Sequence, residues 1–223
     1  EVNQDEFGAD TTGDIEMFTG ASSASESGAV KITTGASGTS PAGSVTISAG
    51  ASSASVGGDV SILAGGSSVS TGGSVKIQSG LGSEMASGAI AILTNAAGGT
   101  SQSGDIVFET GNAERDASGR VAIKTGDSGE AAAGNVEILA GVSASSAGAG
   151  VSITAGTATG ENNRGGDMSL TAGAGQGAGG AVYVRAGSGE ELTGGSVTVS
   201  SGKSAASASG ATTLATANAI ASH

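Results

Sequence analysis

Twenty of the 223 residues are Asp or Glu, eight are Lys or Arg, and the sole histidine is His223, the last residue. That inventory limits the chemistry. A serine–histidine–aspartate relay needs an imidazole between nucleophile and acid, and a histidine metal cage needs several. Paired carboxylates are the remaining route to hydrolysis. Asp14, Asp59, Asp105 and Asp167 occupy one equivalent position in the repeat described below but stand three or four repeats apart, and Glu190 and Glu191 are neighbours in a polar turn. The string GQGAGG (175–180) has the spacing of a dinucleotide-binding turn. AVYVRAG follows it, however, where a helix would have to aim its N-terminus at a pyrophosphate. GKS (202–204) lacks the preceding glycine of a phosphate loop, and no regular run of aspartates marks a calcium-binding nonapeptide array. With no cysteine there is neither a disulfide framework nor a thiolate zinc site. No catalytic, cofactor-binding or metal-binding residue is expected, and the reading is of a protein that is not an enzyme.

What must position the rest is a repeat. The octets GAVKITTG (28–35), GSVTISAG (43–50), GDVSILAG (58–65) and GSVKIQSG (73–80) recur at a constant interval. The first apolar residue of each unit gives the series Ile15, Val30, Val45, Val60, Val75, Ile90, Ile106, Val121, Val136, Val151, Met168, Val182, Val197 and Thr212. The step is 15 residues except for one of 16, one of 17 and one of 14. Two places further on stand Met17, Ile32, Ile47, Ile62, Ile77, Ile92, Phe108, Ile123, Ile138, Ile153, Leu170, Val184, Val199 and Leu214. Alternation with period two puts these pairs on one face of an extended segment, and β-branched residues at those sites favour strand over helix. Glycine ends nearly every octet, with Asn95 in its place after Ile90, and the residues between octets, such as ASSASVG (51–57), are small and polar.

Equal phase and nearly equal connections predict that successive units stack. The expected fold is all-β: a single-chain, right-handed parallel β-solenoid of about 14 coils, with Val over Val and Ile over Ile at the inter-strand spacing of about 4.8 Å. Residues 13–216 form the repeat array in this reading. Residues 1–12 make an N-terminal cap or truncated coil, with Phe7 over the first coil, and residues 217–223 a C-terminal tail or cap. The chain opens on Glu1 rather than Met, from which an upstream segment is expected.

Composition agrees with order by repetition. Glycine numbers 43, aromatics are 2% and charged residues 13%, so neither an ordinary aromatic core nor a highly charged disordered chain fits. The net charge of −12 and the lack of a basic stripe argue against nucleic acid as a partner. No apolar run approaches the roughly 18 residues of a membrane span.

Two surface features stand out. In the first third of the chain, stacked return segments would align Ser23, Ser53 and Ser68 in one column and Ser25, Ser40, Ser55 and Ser70 in another, a flat small-residue face suited to lateral contact. Further along, the same side carries Glu114, Arg115, Asp116, Asp127 and Glu130. The 17-residue step adds two residues within 157–166, making Glu161, Asn162, Asn163 and Arg164 the expected protruding loop.

At GSVTISAG, GDVSILAG and GNVEILAG the chain resembles the Gly/Ser/Thr-rich short-coil repeats of fibre, tail-fibre and adhesin-type surface proteins. The resemblance covers about residues 13–216. It implies a structural shaft at the cell or virion surface or outside the cell, self-associating end to end or laterally, or joined to neighbouring fibre domains. It implies no cofactor. The coil length is also similar to that of insect antifreeze solenoids. The outward positions Glu16, Lys31, Thr46, Ser61 and Lys76 do not make the threonine ladder of those proteins. Binding to ice, a crystalline surface or a polysaccharide through the Ser/Ala face is the alternative function.

Overall fold

The computed structural model describes residues 12–144, 147–160 and 163–217. Phe7, nearly all of the expected N-terminal cap, Glu161, Asn162 and His223 lie outside the described residues. The chain divides into two units, Glu1–Phe108 and Glu109–His223.

Within each unit the octets run without helix, turn or bend, and the segments between them bend at their tips, as at 23–25, 38–40, 53–55 and 205–207. Glycine at the octet ends marks where one conformation gives way to the other. The ends of the connecting segments meet. Gly58 N–H donates to Gly50 C=O at 2.9 Å, Gly73 to Gly65 at 2.8 Å and Gly88 to Gly80 at 3.0 Å in the first unit. In the second, Gly166, Gly180, Gly195 and Gly210 donate to Gly156, Gly173, Gly187 and Gly202, each at 2.9 Å. Each such segment is a closed excursion of the Ω type, with its ends joined at a neck.

This path corrects the expected fold. Among the described residues there is no β-strand, so the chain is not an all-β parallel β-solenoid, and the parallel β-helix reading is withdrawn with it. A solenoid coil returns to its own column after a full repeat of 15 residues. Here the chain closes on itself at the neck, after an excursion of seven residues, so the next octet starts where the previous one ended. The side chains report the same thing. Val45, Val60 and Val75 are 52%, 55% and 54% exposed, where stacked neighbours above and below would have covered them. No hydrophobic residue among those described is buried. The octets recur along the chain, but their aliphatic pairs do not form a core among the described residues.

The irregular steps are absorbed in the excursions. The neck bond is 2.9 Å whether six residues intervene (Gly173 to Gly180), seven (Gly50 to Gly58) or nine (Gly156 to Gly166). The extra residue of the 16-residue step falls in a loop that turns at 99–100, where Gly99 takes a φ of 65°. A side chain there would meet the left-handed penalty of roughly 1–2 kcal/mol.

Candidate interaction surface

Two kinds of surface recur with the repeat: the loop with its neck, and the apolar face of the octet.

The seventh residue of the octet decides how the neck closes. Where it is Ala49, Ala64, Ser79, Ala155, Ala172, Ala186 or Ser201, the two backbones approach and the glycine N–H to glycine C=O bond forms; after Ala140, where the next octet opens on Ala149 rather than glycine, no such bond joins Gly141. Where it is Thr, no such bond forms among the described residues. In two of these octets Thr19 Oγ1 donates to Gly28 C=O, and Thr34 Oγ1 to Gly43 C=O, each at 3.0 Å; Thr94, Thr110 and Thr125 make neither bond. The branched side chain acts as a wedge. A Cβ built on Gly58 or Gly73 would lie 3.4–3.6 Å from the backbone N and O of the facing glycine, whereas one built on Gly28, Gly43, Gly104, Gly119 or Gly134 would meet only threonine atoms within 4 Å. The small seventh residue is also where burial is greatest. Ser79, Thr110, Ala155, Ala172 and Ala186 are half-buried, and Gly82 is the one further described residue with comparable burial.

The loop tips follow a second rule, two residues past the neck glycine. When that residue is Ser, its Oγ accepts an N–H three residues on: Ser25 to Ser22 at 3.1 Å, Ser40 to Ser37 at 3.3 Å, Ser55 to Ser52 at 2.9 Å and Ser70 to Ser67 at 3.0 Å. Ala131 to Ser128 and Ser207 to Ser204 repeat the clasp in the second unit. These are side-chain-to-backbone turns of the Ser/Thr type. When the residue is Gly, the tip closes more tightly: a Cβ on Gly82 would fall on the carbonyl oxygens of Met85 and Ala86, and one on Gly175 on that of Ala178.

Of the serines expected to form a flat face, Ser25, Ser40, Ser55 and Ser70 supply the amides held by these clasps, and Ser23, Ser53 and Ser68 lie beside them. All are exposed. Their alignment into columns rested on stacked coils, so each belongs to the tip of its own loop. The residues that shape the tips, Ser22, Ser37, Ser52 and Ser67, were not singled out in the sequence. The signal was present as a serine pair at i, i+3 starting two residues after glycine. In the loop with the longest excursion, Arg164 pairs with Asp167 at 2.6 Å with both side chains exposed, and the Nδ2 of Asn163 sits against Gly160. Asp116 Oδ1 accepts the N–H of Ala117 at 2.7 Å.

The octet face is apolar and open. The first position of each pair, from Val30 to Val197, is roughly half exposed, and the second, from Ile32 to Val199, more so. Leu63, Leu93, Leu139 and Tyr183 add apolar surface on the opposite side of their octets. Among the described residues, octet interiors make no backbone–backbone hydrogen bond; that pairing is found at the necks. Chemically the octet is a segment with unpaired main-chain groups and an apolar face, able to pair main chain to main chain and to bury Val and Ile against a matching surface.

No group of three or more His, Cys, Asp or Glu side chains among the described residues is placed to hold a metal ion. No helix among them is long and apolar enough to cross a membrane. No family model, curated protein or solved structure matches the chain.

Proposed function

We propose that this chain is a non-enzymatic structural segment, a repeated building block of a fibre, filament or adhesin outside the cell or on a cell or virion surface. One observation carries the reading: the same module, an octet with an open apolar face followed by a loop closed at its neck, recurs along both units with its spacing preserved. Uniform modules suit a part whose job is extent and regular contact, and stability in such arrays comes from interfaces between modules. The likeness of GSVTISAG and GDVSILAG to surface-fibre repeats supports the location. The net charge of −12 supports solubility of a chain with so much aliphatic surface.

Electron microscopy of the purified protein tests this reading. Elongated or filamentous assemblies with a regular repeat are expected. Compact, monodisperse particles would overturn it. Ice-shaping and glycan-binding assays separate the alternative of a surface-binding module, which predicts activity from unassembled protein.

A further inference from the structure

The accessible surface is 22717 Å² for a chain of 20.5 kDa. A folded monomer of that mass exposes about 9,000 Å² and the unfolded chain about 30,000 Å². The protein in this conformation thus leaves open about three-quarters of what it would expose unfolded. Ordering its backbone still costs about 1–2 kcal/mol per residue. With no buried hydrophobic residue among those described, no apolar core offsets that cost.

We infer that the Val/Ile face and the free main-chain edges of the octets are covered by octets of further copies of this same chain, so that the protein acquires its ordered form only on assembly. The inference rests on the structural reading above and names its partner. Three observations select a copy of the chain over an unrelated protein. The apolar pair keeps its place along the chain through two additional residues in one loop and one missing residue in the next, because necks of equal length hold the octets in step. A partner with the same module matches that constancy repeat for repeat. The octet also offers what an identical octet lacks: unpaired N–H and C=O groups beside a half-exposed Val and a more exposed Ile. Finally, the area left open is far beyond the 1,200–2,000 Å² or so of an ordinary two-protein contact and is of the size that obligate, interleaved assemblies bury.

Charge gives the inference a distinctive signature. Each copy carries −12, so copies repel one another and added salt must strengthen their association. A cationic partner would be released by salt instead.

The test uses the full chain in sedimentation velocity, with amide exchange as a measure of order. The wild type is expected to sediment as an oligomer with protected octet amides, more so at high salt. The triple variant Ile47→Asp/Ile62→Asp/Ile77→Asp is expected to lose the oligomer and the protection together. The loop variant Ser25→Asp/Ser40→Asp/Ser55→Asp is expected to keep both. Because the octet variant can fail to fold for local reasons, a second measurement reads the wild-type arrangement. The chain has no cysteine, so Val60→Cys is a unique thiol. On oxidation it is expected to give intermolecular dimers, and Ser53→Cys at a loop tip is not. A wild-type monomer with protected amides overturns the inference, as does cross-linking through Ser53→Cys but not Val60→Cys. Filaments that persist in the octet variant would overturn it while leaving the structural reading intact. Compact particles in the microscope would remove the structural reading itself.

Discussion

The neck at Gly50–Gly58 and the neck at Gly35–Gly43 solve one problem in opposite directions. In the first, the glycine opening the next octet donates its N–H backward to the glycine that closed the last one, at 2.9 Å. In the second, that opening glycine is the acceptor, and the donor is a side chain, Thr34 Oγ1, at 3.0 Å. The residue that chooses is the seventh of the octet: Ala49 has a bare Cβ, while Thr34 carries a methyl and a hydroxyl. A methyl-sized wedge separates the backbones, and the hydroxyl replaces the lost hydrogen bond. At these two necks closure is kept while its chemistry changes.

The sharpest way to break that account lies at a loop tip rather than at the neck. Gly82→Ala places a Cβ on the Met85 and Ala86 carbonyls, and the loop must open. We expect a loss of about 1–3 kcal/mol in local stability, read as faster exchange at Gly88 N–H. No comparable effect is expected for Gly66→Ala, whose Cβ would meet nothing within 4 Å. The two neck types can next be interchanged. Ala64→Thr should wedge the 65–73 neck apart and remove a bond of about 1 kcal/mol, so that Gly73 N–H exchanges roughly fivefold faster. Thr34→Ala should do the reverse and protect Gly43 N–H; a Gly43 amide that stays fast would show that the wedge is not what holds the backbones apart. A smaller effect is expected of Ser52→Ala, which frees the amide of Ser55 from its 2.9 Å clasp at a cost of about 0.5–1.5 kcal/mol, confined to that loop. Arg164→Ala should change melting least, within about 1 kcal/mol, because its partner Asp167 is also exposed.

The sequence marks the modules and their limits well. Gly50 and Gly58, chosen from the text as octet ends, are the residues that bond across the neck, and the 16-residue step leads to the turn at Gly99. What it does not reveal is which part of the chain meets which. Alternation at Val60 and Ile62 says that one face must be covered, and it says so identically whether the cover is Val75 of the same chain or a residue of another. The approach of Gly58 to Gly50 past Ala49 at 2.9 Å is a short-range fit that hydrophobic periodicity cannot register. The same holds for the loop face. Ser25 and Ser55 were visible as small polar residues, whereas the clasps that hold their amides depend on Ser22 and Ser52, which look no different from any other serine until the backbone bends.

Because each bonded neck is tied by residues outside the excursion it closes, it accommodates excursions of different length. Nine residues pass through the bond between Gly156 and Gly166 as readily as six pass through that between Gly173 and Gly180. Every loop is thereby a cassette: foreign peptide can be spliced into one of them, or its length altered by descent, without the neighbouring cassettes registering the change. A protein built this way can diversify what it displays while conserving how it is assembled.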